Sequence, residues 1–202
     1  MTEAARIQGV TGLVLAAGLG RRFDPTGGQL KLLAPMADGV TVLRRVCETA
    51  LQVLDEVVVI SDVHEASLRQ ELDGLDLRFV RAEQAERGMG VTLKAGIQAS
   101  SPTCGWLVIL ADMPWVQART LSVLAAALAD GAGLVRPQVD GQPGNPVGFS
   151  AAWRSSLMAL PDEQGARALL QSQKQDTVWI QVPDAGILRD VDLPADLDPS
   201  LS

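Results

Sequence analysis

LVLAAGLGRRFDPTGGQLK, residues 13 to 31, runs from an apolar segment through a glycine turn into two arginines and, past a second glycine pair, a lysine. Val14 and Leu15 suit a buried strand. Gly18 and Gly20 let the backbone turn sharply and approach a ligand with no Cβ in the way. Their amides can face a phosphate, and Arg21, Arg22 and Lys31 add side-chain cations beside them. Several cations around one turn suit the oxygens of neighbouring phosphates better than a single carboxylate, so the stretch reads as a triphosphate cradle. Two familiar phosphate motifs are absent. A Walker loop needs a glycine, four residues and then Gly-Lys-Ser/Thr, and a dinucleotide fingerprint needs a glycine where Phe23 stands. For the two glycines alone, an ordinary strand-to-helix turn is the plain alternative; Arg22 and Lys31 weigh against it.

Outward from this stretch, strand-like and helical patterns alternate. A helix is expected from about Val42 to Leu54, where Val42, Val46, Ala50 and Leu54 recur every four residues and Arg44, Arg45, Glu48 and Gln52 are left for the wet side. The β-branched run Val57 to Ile60 follows, then a helix near Glu65 to Leu72, a strand near Leu77 to Val80, a helix near Val91 to Ala99 and a strand from Trp106 to Leu110. After a helix from Arg119 to Ala129 come short apolar pieces at Leu134 to Val139, Pro146 to Phe149, Val178 to Val182 and Ile187 to Val191, some expected to run antiparallel. This grammar implies an α/β fold with a mostly parallel sheet and helices on both faces. One domain over residues 1 to 202 is expected, with residues 1 to 9 and Asp196 to Ser202 loose.

The chain has 202 residues, 47% of them hydrophobic, enough for one sizeable core, and a net charge of −7. Such a charge disfavours a general nucleic-acid or membrane-surface binder, so an anionic ligand needs a local cationic pocket. Cys47 and Cys104 have no metal-ligand spacing, and reduced thiols are expected. No apolar run is long enough to span a bilayer and MTEAARIQG has no apolar signal core, so a cytoplasmic location is expected.

Five further segments carry candidate chemistry. In GWLVILADMPWV, Asp112 stands just past the end of an apolar strand, where open α/β sheets bind ligands, and suits a magnesium ion bridging phosphate oxygens; a simple turn aspartate is the alternative. ILRDVDLPADL presents Asp190 and Asp192 on one side of an extended segment, before a proline suited to opening a helix. Either aspartate can complete a metal site, or the pair is an acidic strand end capping the next helix. GMGVTLKAG places Gly88, Gly90 and Thr92 at a helix start, where free amides and a hydroxyl suit a base or ribose edge as well as a simple cap. DGQPGNPVGF reads as a tight hairpin-like turn, and Arg167 in DEQGARALL as a helix-start arginine. His64 is the one histidine and reads as a surface residue; the four tryptophans read as core or crevice walls.

Taken together, about residues 12 to 196 resemble the nucleotidyltransferases of molybdenum-cofactor maturation, the molybdopterin cytidylyltransferases and guanylyltransferases. Leu15 to Arg22 and Lys31 match the signature LAAGxGxRxG plus lysine, although Phe23 to Leu30 is longer than the usual spacing. Asp112 sits in the family's strand-Asp-Met/Val-Pro context, and Asp192 matches the second aspartate of a DIDTPED-like stretch. Thr92 stands for a serine and Lys94 for a frequent arginine in the family's GM(x)xSL segment. Asn145 replaces the histidine of a GxPGHPV loop, and Gly165 with Arg167 resembles a G(x)GAR segment.

The resemblance implies a three-layer, Rossmann-like nucleotidyltransferase fold and a magnesium-dependent transfer of CMP from CTP to molybdopterin, with release of pyrophosphate. It assigns Arg22, Lys31 and Asp112 to catalysis, and Leu15, Ala16, Ala17, Gly18, Gly20, Arg22, Lys31, Gly88 and Thr92 to the nucleotide. Asp112 and Asp192 fall to the metal, Asn145 and Arg167 to the acceptor. A molybdenum hydroxylase would receive the product. Ala17 goes with cytidine users, whereas Leu15 is found in members that use GTP. Sugar phosphates, phosphocholine-like alcohols and phospholactate are alternative acceptors. A non-catalytic cofactor chaperone is a further alternative, as is a dehydrogenase. For the last, the end of the second strand offers no persuasive acidic ribose partner.

Overall fold

The computed structural model describes residues 6–18, 22–24, 26 and 28–197. Gly20, Arg21 and Gly27 of the first loop lie outside the described residues.

The opening stretch forms a strand because its apolar side chains alternate between two covered faces. β1 (Ile7–Leu15) sends Val10 and Val14 into one core cluster and Leu13 into another. β2 (Leu54–Ser61) divides Val57 and Val59 from Val58 and Ile60, and β4 (Gly105–Leu110) divides Leu107 and Ile109 from Trp106 and Val108 in the same way. α1 (Val42–Leu51) and α4 (Ala118–Ala129) supply Val46, Cys47, Leu121 and Leu124 to the first cluster. α3 (Met89–Ala99) supplies Leu93 and Ile97 to the second, giving three layers. Each fully buried Leu, Ile or Val contributes about 1.5–3 kcal/mol, so these layers dominate the stability of the sheet. The polar end of α1 is tied off by Thr41, whose hydroxyl accepts the Arg44 amide.

β3 (Arg78–Arg81) and β4 flank the β2 and β1 pair, all four strands running parallel. β7 (Val147–Ser150) is antiparallel to both β4 and β5 (Leu134–Val139), and β8 (Val178–Gln181) is parallel to β5. β5 and β8 therefore point the same way as β4. β6 (Gln142–Pro143) pairs β5 on the edge that β7 uses, because β8 occupies the opposite edge at Val135 and Gln138. Among the described residues the sheet has eight strands, of which β6 and β7 are reversed. The C-terminal ends of β1, β2 and β4 share one edge, where the two crossover directions diverge from β1.

Several sequence expectations need correcting. The α1 pattern was expected to reach Leu54, but the helix ends at Leu51 and Leu54 opens β2, since the next turn of α1 would leave β1 without a partner at Ile7. Residues 7–9, expected to be loose, begin β1. Ile187 to Val191 is not a strand. Asp184 accepts the Gly186 amide and bends the chain into a 3-10 turn at Ala185–Leu188, with Gly186 pressed on the Trp115 carbonyl. The short helices α5 (Arg154–Met158) and α6 (Arg167–Ser172) complete the path, α6 starting at Arg167 as expected. α2 (Glu65–Glu71) lies between β2 and β3. No described helix is long and apolar enough to cross a membrane.

Candidate active site

A cleft of about 540 Å³ opens over the ends of β1, β2 and β4. Its lining holds Leu15, Ala16, Ala17 and Gly18 from the first loop, Arg22 and Lys31 from the segment beyond, Gly88 and Thr92 from the start of α3, and Asp112 and Asp192. These residues are scattered over 178 positions, from Leu15 to Asp192, yet face a common space. Asn145 and Arg167 are not among its lining residues. Asn145 stands on the β6–β7 connection at the same sheet edge, its amide donating to the Ile187 carbonyl at 3.0 Å. Arg167 is exposed at the start of α6.

One end of the cleft is charged. Lys31 Nζ donates to Asp112 Oδ2 at 2.6 Å and lies 3.6 Å from Asp192 Oδ1, while Arg22 donates to Asp192 Oδ2 at 2.5 Å. Lys31 and Asp112 are mostly buried, whereas Arg22 is 79% exposed, so screening by water and salt falls chiefly on the arginine pair. Asp192 reaches Asp112 because the Val191 amide donates to the Asp112 carbonyl at 2.8 Å. The segment is held further back by Asp184, which is buried and accepts the Gln117 amide and the Thr120 hydroxyl at the start of α4. Arg189 lies over the Trp115 ring in the same region.

Asp112, Asp190 and Asp192 each offer a carboxylate oxygen within 4.8 Å of the others. Partial burial, then the charges of Asp192 and Asp112, push the Asp190 carboxyl above the usual carboxylate range. An all-oxygen, anionic donor set suits a hard divalent cation such as magnesium or manganese rather than a thiolate-preferring metal. Asp190, the lesser of two candidates in the sequence, thus joins the same cluster as Asp192.

The start of α3 forms another part of the lining and is sterically tight. Gly88 has φ +140°, and the Gly90 amide donates to the Asp162 carbonyl at 3.0 Å. Thr92 is 1% exposed, and its Oγ1 finds no hydrogen-bond partner among the described residues, although the residue lines the cleft. A buried hydroxyl without a partner is costly unless a ligand satisfies it. Lys94 turns away, donating to Asp162 and to the Leu160 carbonyl, and so anchors the loop that covers the helix start. That Lys94 bond holds the Asp162 carboxyl below the usual range.

Sequence reasoning missed Asp62. It directly follows β2, lines the cleft and is 8% exposed, its carboxylate accepting the Gly18 amide at 3.2 Å and the His64 amide at 3.0 Å. The strand-end argument that picked out Asp112 applies equally after the run Val57–Ser61 and would have found it. An acidic residue does therefore end the second strand, but both its oxygens are committed to backbone amides. The Gly18 amide, expected to face a phosphate, is turned to this carboxylate.

Comparisons agree with this geometry. A family model described as the MobA-like NTP transferase domain matches residues 12–178. The Bifunctional protein GlmU of Psychrobacter sp. is 29% identical over 167 residues, 82% of this chain, and the chain spans about a third of that relative's length (33%). The crystal structure of a Mycobacterium tuberculosis Rv0371c homolog from Mycobacterium sp. strain JC1 superposes with TM-score 0.78 at 29% identity, over 95% of this chain and 94% of that one. The Rv0371c complex with manganese from M. tuberculosis H37Rv superposes with TM-score 0.69 at 25% identity, over 94% and 92%. With strand-end carboxylates, cations and a glycine turn around one cleft, and with the family model matching most of its length, the chain belongs to the MobA-like NTP transferase family.

Proposed function

We propose that the protein transfers CMP from CTP to a molybdopterin-type acceptor with release of pyrophosphate, and that it does so as one catalytic unit with its core at about residues 12 to 196. The observation that carries the reading is the meeting of Lys31 with Asp112 and Asp192 at one end of a cleft whose other end holds the orphaned Thr92 hydroxyl. Asp112 and Asp192, with Asp190 beside them, would hold magnesium, which when bound neutralises phosphate oxygens.

Lys31 and Arg22 face the triphosphate and stabilise the charge that develops as the bond to the departing pyrophosphate weakens. A phosphate oxygen of the acceptor attacks the α-phosphorus in line, a reaction that asks the chain for alignment and charge rather than for a covalent nucleophile. Leu15 to Ala17, Gly88 and Thr92 line the nucleoside end, where backbone amides and one hydroxyl read the base and ribose, and Gly18 leads from there toward the phosphates. Asn145, at the same sheet edge, and Arg167 would approach the acceptor only if it extends past the cleft lining.

Ala17 supports cytidine, and Leu15 supports the guanosine alternative. The test is a panel of CTP, GTP, ATP and UTP against molybdopterin and sugar phosphates, read as pyrophosphate formed, with Asp112→Ala as control. Turnover with CTP and molybdopterin is expected. Turnover confined to GTP, or to a sugar phosphate, would replace the respective half of the assignment. Ala17→Gly is expected to move preference toward GTP in competition kinetics.

A further inference from the structure

Among the described residues, Lys31, Arg22 and the Gly18 amide, which would meet a metal-bound triphosphate, each already hold a partner inside the chain. Lys31 is paired with Asp112 at 2.6 Å and faces Asp192 at 3.6 Å, Arg22 is paired with Asp192 at 2.5 Å, and the Gly18 amide is held by Asp62 at 3.2 Å. The carboxylates sit on the cations where phosphate oxygens would sit. The Lys31 ammonium sits on the carboxylates where a divalent ion would sit. Three carboxylates (Asp112, Asp190, Asp192) against two cations (Lys31, Arg22) leave the group one negative charge in excess, and removal of Lys31 would leave two.

Resting on the metal site described above, we propose that Lys31 is a resident counter-ion that holds divalent metal off the Asp112–Asp190–Asp192 cluster until a triphosphate draws its ammonium away, so that metal and nucleotide enter together. Three features carry this. Lys31 is the more buried of the two cations, at 16% against 79% for Arg22, so its pairing is the less screened. It contacts two of the three carboxylates at once. A triphosphate offers it oxygens of higher charge density than a single carboxylate, so the exchange is favourable only when the nucleotide arrives. Coupling of this kind is reciprocal: whatever factor nucleotide adds to metal affinity, metal adds to nucleotide affinity.

The test measures Mn²⁺ binding to nucleotide-free protein by the electron paramagnetic resonance signal of free Mn²⁺. Wild type, Lys31→Met and Lys31→Arg are compared, thermal melts showing that each is folded. Lys31→Met is expected to bind Mn²⁺ about tenfold more tightly than wild type, within the usual range of coupling between two ligands. The same variant should bind CTP more weakly in the presence of a chelator. Lys31→Arg, which keeps the cation, should stay near wild type, and Arg22→Gln should tighten Mn²⁺ less than Lys31→Met. Unchanged or weaker Mn²⁺ binding by Lys31→Met overturns the proposal. Adding Asp112→Asn to Lys31→Met separates the two failures. If tight Mn²⁺ binding survives that change, the ion lies elsewhere, and the assignment of the metal to these carboxylates falls with the counter-ion. If Mn²⁺ binding needs Asp112 but is indifferent to Lys31, only the counter-ion proposal fails.

Discussion

The two ends of the cleft are built on opposite principles. At the end proposed for the polyphosphate, Arg22, Lys31, Asp112 and Asp192 are charged side chains paired across the fold, with exposures running from 16% to 79%. At the end proposed for the nucleoside, Gly88 and Gly90 are backbone packed against the loop around Asp162, and Thr92 is a short, buried side chain. Charge at the first end can rearrange when a ligand arrives, and the shape at the second is set in advance. A site divided in this way can hold a nucleoside rigidly while its charged groups exchange partners along the reaction.

The largest effect should come from the charged end. Asp112→Ala is expected to lower pyrophosphate formation about a thousandfold, the scale seen when a group that stabilises developing charge is removed, while the melting temperature changes little. A drop in activity matched by a drop in melting temperature would mean that Asp112 belongs to the rigid half after all. Next comes Gly90→Ala. Its new Cβ would meet the Pro161 carbonyl oxygen and stand 2.6 Å from that of Gln164, both backbone atoms that cannot swing aside. Overpacking of this kind costs about 1–3 kcal/mol, to be read by chemical denaturation. A neutral result would show that the 161–165 loop is free to retreat and that the contrast between the ends is weaker than the packing indicates.

Thr92→Val sharpens the comparison because its two readouts should move in opposite directions. Replacing a buried hydroxyl that has no partner with a methyl of the same shape should raise stability by about 1 kcal/mol, yet weaken CTP binding in titration calorimetry. If both stability and affinity fall, the hydroxyl has a partner inside the protein. Smallest is Arg22→Gln in the nucleotide-free protein. The pair with Asp192 is exposed enough that its loss should change the melting temperature by no more than the equivalent of ~1 kcal/mol, and less at high salt.

Much of the charged end was legible in the sequence. Lys31, Asp112 and Asp192 stand out because each follows a recognisable local signal: a glycine turn, an apolar strand ending in Ala-Asp, an acidic pair before a proline. The nucleoside end was legible only in part. Gly88 and Thr92 mark a helix start, but the Pro161–Gly165 loop that closes over it lies some 70 residues away, and nothing local announces the contact. Asp62 was passed over because a short polar stretch after a strand reads as a turn until the first loop is seen to bend toward it.

What the amino-acid order determined on its own is whatever depends on neighbours along the chain. Period-two alternation between two apolar faces demands a sheet covered on both sides, a four-residue period makes α1 amphipathic, and strand-end aspartates are delivered to one edge. What only the tertiary structure decided is which charges meet. Lys31 and Asp112 are separated by 81 residues and Arg22 and Asp192 by 170, and the strand order together with the Val191–Asp112 backbone bond brings them within hydrogen-bonding distance. Electrostatic partnership depends on distance through space, and that distance is a property of the sheet as a whole rather than of any segment within it.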